Sequence, residues 1–290
     1  MIYHEMFGQH LRLGNFLFKY AWSIAKREQF GEVSTYPREY YLWKYLQHPP
    51  LTKENYAEFR PNADFLKVNW EWSEQEMKRV DDIVKNGKDT LVSLDSFFQS
   101  EKWFENYRHR VRDGLYFTDK AESDVIWKYG HLFTSEKPKI GIGVRLGDFL
   151  GHGDFYQIPI QWYIRALNEH FPNWKDENEV VIFSDDIEHA KRLFEAQSYH
   201  NFNYAKPNNT QTHADGFKHY HGDASEQLIL GSTMNHFIIG NSTFSWWQAW
   251  LATYNSYNKV IHCGKVFSDT GNMKHINTEN YYPERWIKFV

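Results

Sequence analysis

The 290-residue sequence predicts an α/β protein whose C-terminal half is a doubly wound parallel sheet. Short apolar runs recur at 140–144 (IGIGV), 179–184 (EVVIFS), 237–240 (FIIG) and 259–263 (KVIHC), each compact enough to be a buried strand. Segments with apolar residues at helical spacing separate them. Strand and helix alternate so regularly from residue 139 onward that a parallel sheet is the simplest architecture.

Taken in order, IGIGV is followed by a loop with Gly147, Gly151 and Gly153, then by a helix over 158–171 carrying Trp162, Tyr163, Leu167 and Phe171 on its apolar face. EVVIFS leads into a second helix over 187–196. A weaker strand at 202–205, a helix from Ser225 to Met234, the FIIG strand, a helix through WWQAWLATY and the KVIHC strand complete the series. The first half is less regular. RLGNFLFKYAWSIAKREQ (12–29) reads as a Gly-Asn turn opening a helix, with Leu17, Tyr20, Ala21, Ile24 and Ala25 on one face. DTLVSLDSFFQS (89–100) holds a short strand, while the aromatic, proline-broken stretch 36–52 is assigned to no element. The polar stretch FTSEKPK (133–139) reads as a linker, which gives domains at 1–137 and 138–290 with a cleft between them.

Composition narrows the function. Hydrophobic residues make up 41% and aromatics 18%, with 12 Trp, 19 Tyr and 22 Phe, so a large core forms and wholesale disorder is excluded. The aromatic excess also suits sugar binding, because flat rings stack on pyranose C–H faces. A net charge of −4, from 33 basic and 37 acidic residues, argues against a nucleic-acid partner. One cysteine, Cys263, permits no internal disulfide and fits a reducing compartment. MIYHEMFGQH shows neither a signal-peptide core nor a membrane anchor. No run of about 18 apolar residues occurs that would suggest a transmembrane segment. The expectation is a cytoplasmic protein. Nothing in the sequence indicates an oligomeric state.

Ligands of open α/β sheets bind beyond the carboxyl ends of the strands, and three such loops carry polar groups suited to that role. In VRLGDF (144–149), Arg145 leaves the strand with Gly147 and Asp148 behind it. It is either a surface ion-pair partner or a fork of donors for a diphosphate. In FSDD (183–186), Asp185 and Asp186 run from strand to helix, where one can cap the helix and the other meet a purine, a ribose or a metal. In GNSTFSWWQAW (240–250), Ser242, Thr243 and Ser245 gather at a positive helix end, a natural anion site. Trp246, Trp247 and Trp250 lie on that helix, one expected against the sheet and another lining the cleft. A rival cluster, His213, His219 and His221 with Asp215 and Asp223, has metal-ligand chemistry but reads as a solvated loop. No metal is assigned.

Together these loops resemble a known family. RLGNFLFKYA resembles the G-L-G-N-Q-L-F-Q-Y-A opening of glycosyltransferase family 11, the α-1,2-fucosyltransferases. FFQSEKWF (97–104) resembles its Y-F-Q-S-E-K-Y-F segment, GVRLGDF its H-x-R-R-G-D-Y motif, and IFSDD its F-F-S-D-D. IIGNSTFSWWQAWL is similar to its I-I-A-N-S-S-F-S-W-W-A-A-W-L. The matches keep one order from about residue 11 to 263, nearly the whole chain.

The resemblance implies a GT-B fold of two Rossmann-like domains. The C-terminal half would bind the donor substrate GDP-fucose, and the N-terminal half would help hold a glycan acceptor, for transfer to the 2-OH of a galactoside. It implies inversion at the anomeric carbon and no metal or other cofactor. Arg145 matches the diphosphate arginine, Asp185 or Asp186 the guanine reader, and Asn241, Ser242, Thr243, Phe244 and Ser245 the phosphate-facing turn. Gly14 and Asn15 of the first motif join the expected donor-binding set. Asp148 is the candidate general base. Two departures stand out: Gly143 replaces the motif's histidine and Leu146 its second arginine. A donor other than GDP-fucose, or a binding protein without turnover, is the alternative these departures leave open.

Overall fold

A computed structural model of the chain describes residues 2–4, 12–31, 35–36, 41–50, 64–68, 71–86, 89–93, 95–206, 224–252 and 258–290. The chain forms two compact units, Met1–Thr118 with Asn277–Pro283, and Asp119–Ile276 with Glu284–Val290. The histidine-rich stretch 213–223 lies outside the described residues.

The first unit contains β1 (Ile2–His4), α1 (Leu13–Phe30), β2 (Thr35–Tyr36), β3 (Asp64–Leu66), α2 (Glu74–Lys85), β4 (Thr90–Val92) and α3 (Arg108–Gly114). Its strands make a four-stranded parallel sheet in the order β2-β1-β4-β3. The predicted apolar face of α1 is buried, and so is nearly everything else from Leu13 to Lys26, including Lys19 and Lys26. Lys19 Nζ donates to the Ser93 carbonyl at 3.1 Å. Lys26 pairs with Asp81 of α2 and donates to Gln29 Oε1 at 2.8 Å. The unassigned stretch around residue 41 holds a 3-10 turn, Tyr41–Tyr45, whose Trp43 packs on Phe16 and Tyr20 with ring centroids 5.1 and 4.9 Å away. Local charge and proline content hid this turn, because long-range ring contacts fix it.

The second unit opens with α4 (Asp119–Lys128), which lies upstream of the polar 133–139 stretch. It is tied to this unit by Lys128–Glu226 at 2.5 Å and by Gln227 Nε2 donating to the Tyr129 hydroxyl at 2.9 Å. There follow β5 (Lys139–Val144), α5 (Ile160–His170), α6 (Trp174–Glu177), β6 (Glu179–Ser184), α7 (Ile187–Glu195) and β7 (Asn203–Tyr204). The series ends with α8 (Ala224–Ser232), β8 (His236–Ile239), α9 (Thr243–Ala252), β9 (Val260–His262) and β10 (Ile287–Lys288). The six strands are parallel in the order β10-β9-β8-β5-β6-β7. Every residue of β5 is buried, as befits a strand covered on both faces. Ile140, Ile142, Ile182, Ile238 and Ile261 form the sheet's contribution to one core, against Leu167 of α5 and Phe194 of α7. Each such side chain stabilises the unit by roughly 1.5–3 kcal/mol relative to exposure.

Numbered from β5, this order is the doubly wound 3-2-1-4-5-6 arrangement, with its reversal between β5 and β8. Connections from β5 step outward through β6 to β7, and the chain then returns to β8 on the other side. The loops leaving β5 and β8 at the carboxyl edge therefore lead to opposite sides of the sheet, which is where ligands of such sheets bind. Among the described residues, no helix is long and apolar enough to cross a membrane.

Candidate functional site

The candidate site begins at Arg145, the first residue beyond β5. Its guanidinium meets Asp148 Oδ1 through Nη2 at 2.5 Å and Asp185 Oδ2 through Nη1 at 3.2 Å. The guanidinium carbon also lies 5.5 Å from the centre of the Phe149 ring, which stacks on Phe155 at 4.1 Å with 6° between the planes. The arginine is thus held by a carboxylate on each side and an aromatic platform beneath. It remains 21% exposed, enough to reach a ligand.

Asp185 sits at the end of β6, the neighbouring strand. Its Oδ1 accepts the Leu146 backbone N–H at 2.9 Å, while Oδ2 faces Arg145. A Cβ at Gly147 would collide with Asp185 Oδ2, so glycine at 147 is what lets the carboxylate lie against the turn. Asp186 does something else. Its Oδ1 accepts the His189 N–H at 3.0 Å and caps α7, the role expected for one member of the pair.

Beyond β8, Asn241 and Ser242 are buried and Thr243 and Phe244 partly exposed. Asn241 donates its side-chain amide to the carbonyls of Tyr156 and Val266 at 3.0 and 2.8 Å, tying the loops after β5 and β9 to the end of β8. Ser242 Oγ accepts the Phe244 N–H at 3.3 Å and opens α9. Ser245 turns toward β5, and a Cβ at Gly143 would come within 2.7 Å of the Ser245 Cβ. The space that a larger side chain at 143 would need is filled by this serine. The three tryptophans of α9 are all core: Trp246 and Trp247 are 0% exposed and Trp250 4%. None lines a crevice in this unit, which corrects the expectation for one of them. The rings lock the helix into the core of this unit.

Arg145, Asp148 and Asp185 form one cluster, with the α9 turn on the adjoining strand. Gly14 and Asn15 lie in the first turn of α1 in the first unit, where Asn15 Oδ1 accepts from Gln99 Nε2 at 2.9 Å. The first two motifs are thereby joined. Phe98, beside Gln99, holds a left-handed φ of 52° and stacks on Trp22 at 4.4 Å. Sequence reasoning missed the support around Arg145: Phe149, Phe155 and the tie from Asp154 Oδ1 to the Asn272 N–H at 2.5 Å. The aromatic spacing in DFLGHGDFY was its visible signal.

Two buried titratable groups lie on neighbouring elements, His262 at the end of β9 and Tyr163 on α5. Burial, helped by the Lys288 charge, pushes the His262 pKa down to about 4, and its Nδ1 accepts the Gly264 N–H at 3.1 Å. Burial, with the neighbouring Cys263, raises the Tyr163 phenol well above its ordinary value. Both stay neutral near pH 7.

A guanidinium at the switch point of a doubly wound sheet, beside a helix start, belongs to the class of α/β proteins whose ligands meet the carboxyl ends of the strands. The comparisons make that class specific. Residues 12–289 match the family described as Glycosyl transferase family 11, and the chain belongs to it. An Escherichia coli protein named alpha-1,2-colitosyltransferase is 26% identical over 231 residues, covering 74% of this chain and 67% of the relative. The O-antigen biosynthesis glycosyltransferase WbnK of Escherichia coli is 24% identical over 184 residues, covering 61% of this chain and 54% of its own length. Among solved structures, an Arabidopsis thaliana FUT1 mutant in complex with GDP matches with a TM-score of 0.51 at 14% identity, over 91% of this chain and 70% of that one. That likeness shows the fold, which is of the GT-B type.

Proposed function

We propose that this family 11 chain transfers fucose from GDP-fucose to a glycan hydroxyl, the 2-OH of a galactoside, with inversion and without a metal. The observation that carries the reading is Arg145, presented at the β5–β8 switch point beside the start of α9. The colitosyltransferase relative, named for an α-1,2 linkage, supports the regiochemistry.

In this reading the bond from the sugar to GDP breaks through an oxocarbenium-like state, and negative charge accumulates on the departing diphosphate. Arg145 and the positive end of α9 at 241–245 neutralise it. Asp186, with its Oδ1 engaged in the cap, turns its second oxygen to the guanine N1–H and amine. Asp148, 2.5 Å from Arg145, takes the proton of the acceptor hydroxyl. Gly14 and Asn15 of the first motif belong to the same reading as donor-binding residues.

A second reading keeps the fold and changes the donor. Leu146 leaves one arginine where the family motif has two, and Gly143 stands where the motif has a histidine. Together with a relative named for colitose, these favour another nucleotide sugar. A thermal-shift panel of nucleotide sugars followed by turnover assays separates the two. The first reading expects GDP-fucose to protect and to turn over in EDTA, and GDP to bind at least about tenfold more tightly than ADP. Equal binding of GDP and ADP contradicts the first reading. Turnover with a different nucleotide sugar alone selects the second, and activity lost in EDTA and restored by Mn²⁺ removes the metal-free mechanism.

A further inference from the structure

We infer that Asp185 is a positioning residue that holds Arg145 in its diphosphate-binding orientation, and that the guanine-reading role does not fall on it. The inference rests on the proposed donor site and deepens it. Two neighbouring carboxylates leave β6, and the sequence does not say which does what. The geometry separates them. Both oxygens of Asp185 are engaged with the turn after β5, one with the Leu146 N–H at 2.9 Å and one with the guanidinium of Arg145 at 3.2 Å. Asp186 uses one oxygen to cap α7 and makes no such contact with the turn.

The Asp185 clamp has a structural counterpart on the other side. Gly147 has no Cβ, and one would occupy the place of Asp185 Oδ2. Glycine in the turn and aspartate on the next strand therefore fit as a pair. The clamp fixes a backbone amide and the side chain of the preceding residue together, so the direction of the guanidinium is set by β6 as well as by β5. This matters more here than in a site with two arginines. Leu146 contributes only its backbone N–H to the turn, and Arg145 must face the diphosphate with its fork already aimed. Asp148 and the Phe149 ring restrain the same guanidinium, but both lie on its own loop and move with it. Asp185 alone of these anchors Arg145 to a different strand.

The test is calorimetry of GDP and GMP on the wild type, on Asp185→Asn, and on Asp185→Asn combined with Arg145→Ala, with melting temperatures measured alongside. Asparagine keeps an acceptor for Leu146 or for Arg145 but cannot serve both as a charge. The wild type should bind GDP at least about tenfold more tightly than GMP. Asp185→Asn should shrink that advantage about fivefold while leaving GMP affinity within about twofold, and it should have almost no further effect once Arg145 is alanine. Equal weakening of GDP and GMP, or a full effect without Arg145, overturns the inference. A readout without ligand keeps it separate from the donor assignment: the Arg145 guanidinium NMR signals should be resolved in the wild type and averaged in Asp185→Asn. Unchanged signals overturn the inference even if GDP binds as proposed. Changed signals with no GDP preference in the wild type uphold the clamp and remove the donor reading instead. Should Asp185→Asn fail to fold, Gly147→Ala displaces the same carboxylate from the other side and is expected to give the same pattern.

Discussion

Lys26 in the first unit is 2% exposed and pairs with Asp81, whereas Arg145 in the second is 21% exposed and pairs with Asp148 and Asp185. Both are cations held by aspartate, yet their surroundings give them opposite roles. Lys26 lies on α1 among buried neighbours, and burial lowers its pKa against the pull of Asp81. Its charge is structural, and removing it leaves a partner without a counter-charge. Arg145 stands at a strand end with carboxylates arranged around an open side. About a fifth of its side chain stays exposed, and the proposed role shares its charge with a ligand. A paired charge therefore identifies a site only where the pair stays partly open and its support comes from several elements.

The comparison breaks most visibly at Arg145. Arg145→Ala should lower transfer by at least about a hundredfold, the scale of removing one charge-stabilising donor from a transition state, with little change in melting temperature. Lysine should rescue poorly, because a point charge cannot reproduce the fork. A variant that unfolds would instead make Arg145 a structural partner like Lys26. The converse holds for Lys26→Ala, which should destabilise the first unit by about 3 kcal/mol in denaturant unfolding, since Asp81 loses its counter-charge. Arg145 chemistry should be unaffected in whatever fraction stays folded. A loss well under 1 kcal/mol would show that water serves Asp81 as well as the lysine does.

A buried neutral group sharpens the same contrast through pH. His262 has its pKa pushed down from 6.5 to about 4, so the unfolded chain takes up a proton that the folded chain refuses. Stability is complete above pH 6.5 and falls as the pH drops from 6.5 to 4, by up to about 3 kcal/mol. His262→Gln should flatten that slope in melting curves taken across the window, and an unchanged slope would assign acid sensitivity elsewhere. Gly147→Ala also has a small effect on stability. The Asp185 carboxylate must shift to admit the methyl, and about 1 kcal/mol is expected because only a side-chain end has to move. Its melting temperature should fall by only about 2–4 °C while GDP affinity drops.

The same contrast explains what the sequence made legible. In the second unit, runs such as EVVIFS are buried strands whatever their partners, so the alternation and the parallel sheet follow from local pattern. The residues at those strand ends, Arg145, Asp185 and Ser242, could be picked out for the same reason. In the first unit, strands of two or three residues and a 3-10 turn pinned by Trp43 leave little periodicity to read. Nor does a pattern announce that α1 would bury two lysines, because each is admitted by a distant acceptor, Ser93 or Asp81. The split between Asp185 and Asp186 was equally hidden. Adjacent identical residues differ only in which neighbours their chain directions meet.

The central claim is that the diphosphate of the donor sits on Arg145 at the β5–β8 switch point. The most direct measurement is a crystal structure of this protein with GDP bound. It should show the β-phosphate oxygens within about 3 Å of the Arg145 guanidinium and facing the start of α9, with Asp185 still on the Leu146 amide. A diphosphate bound elsewhere, with Arg145 engaged only by Asp148 and Asp185, would contradict it.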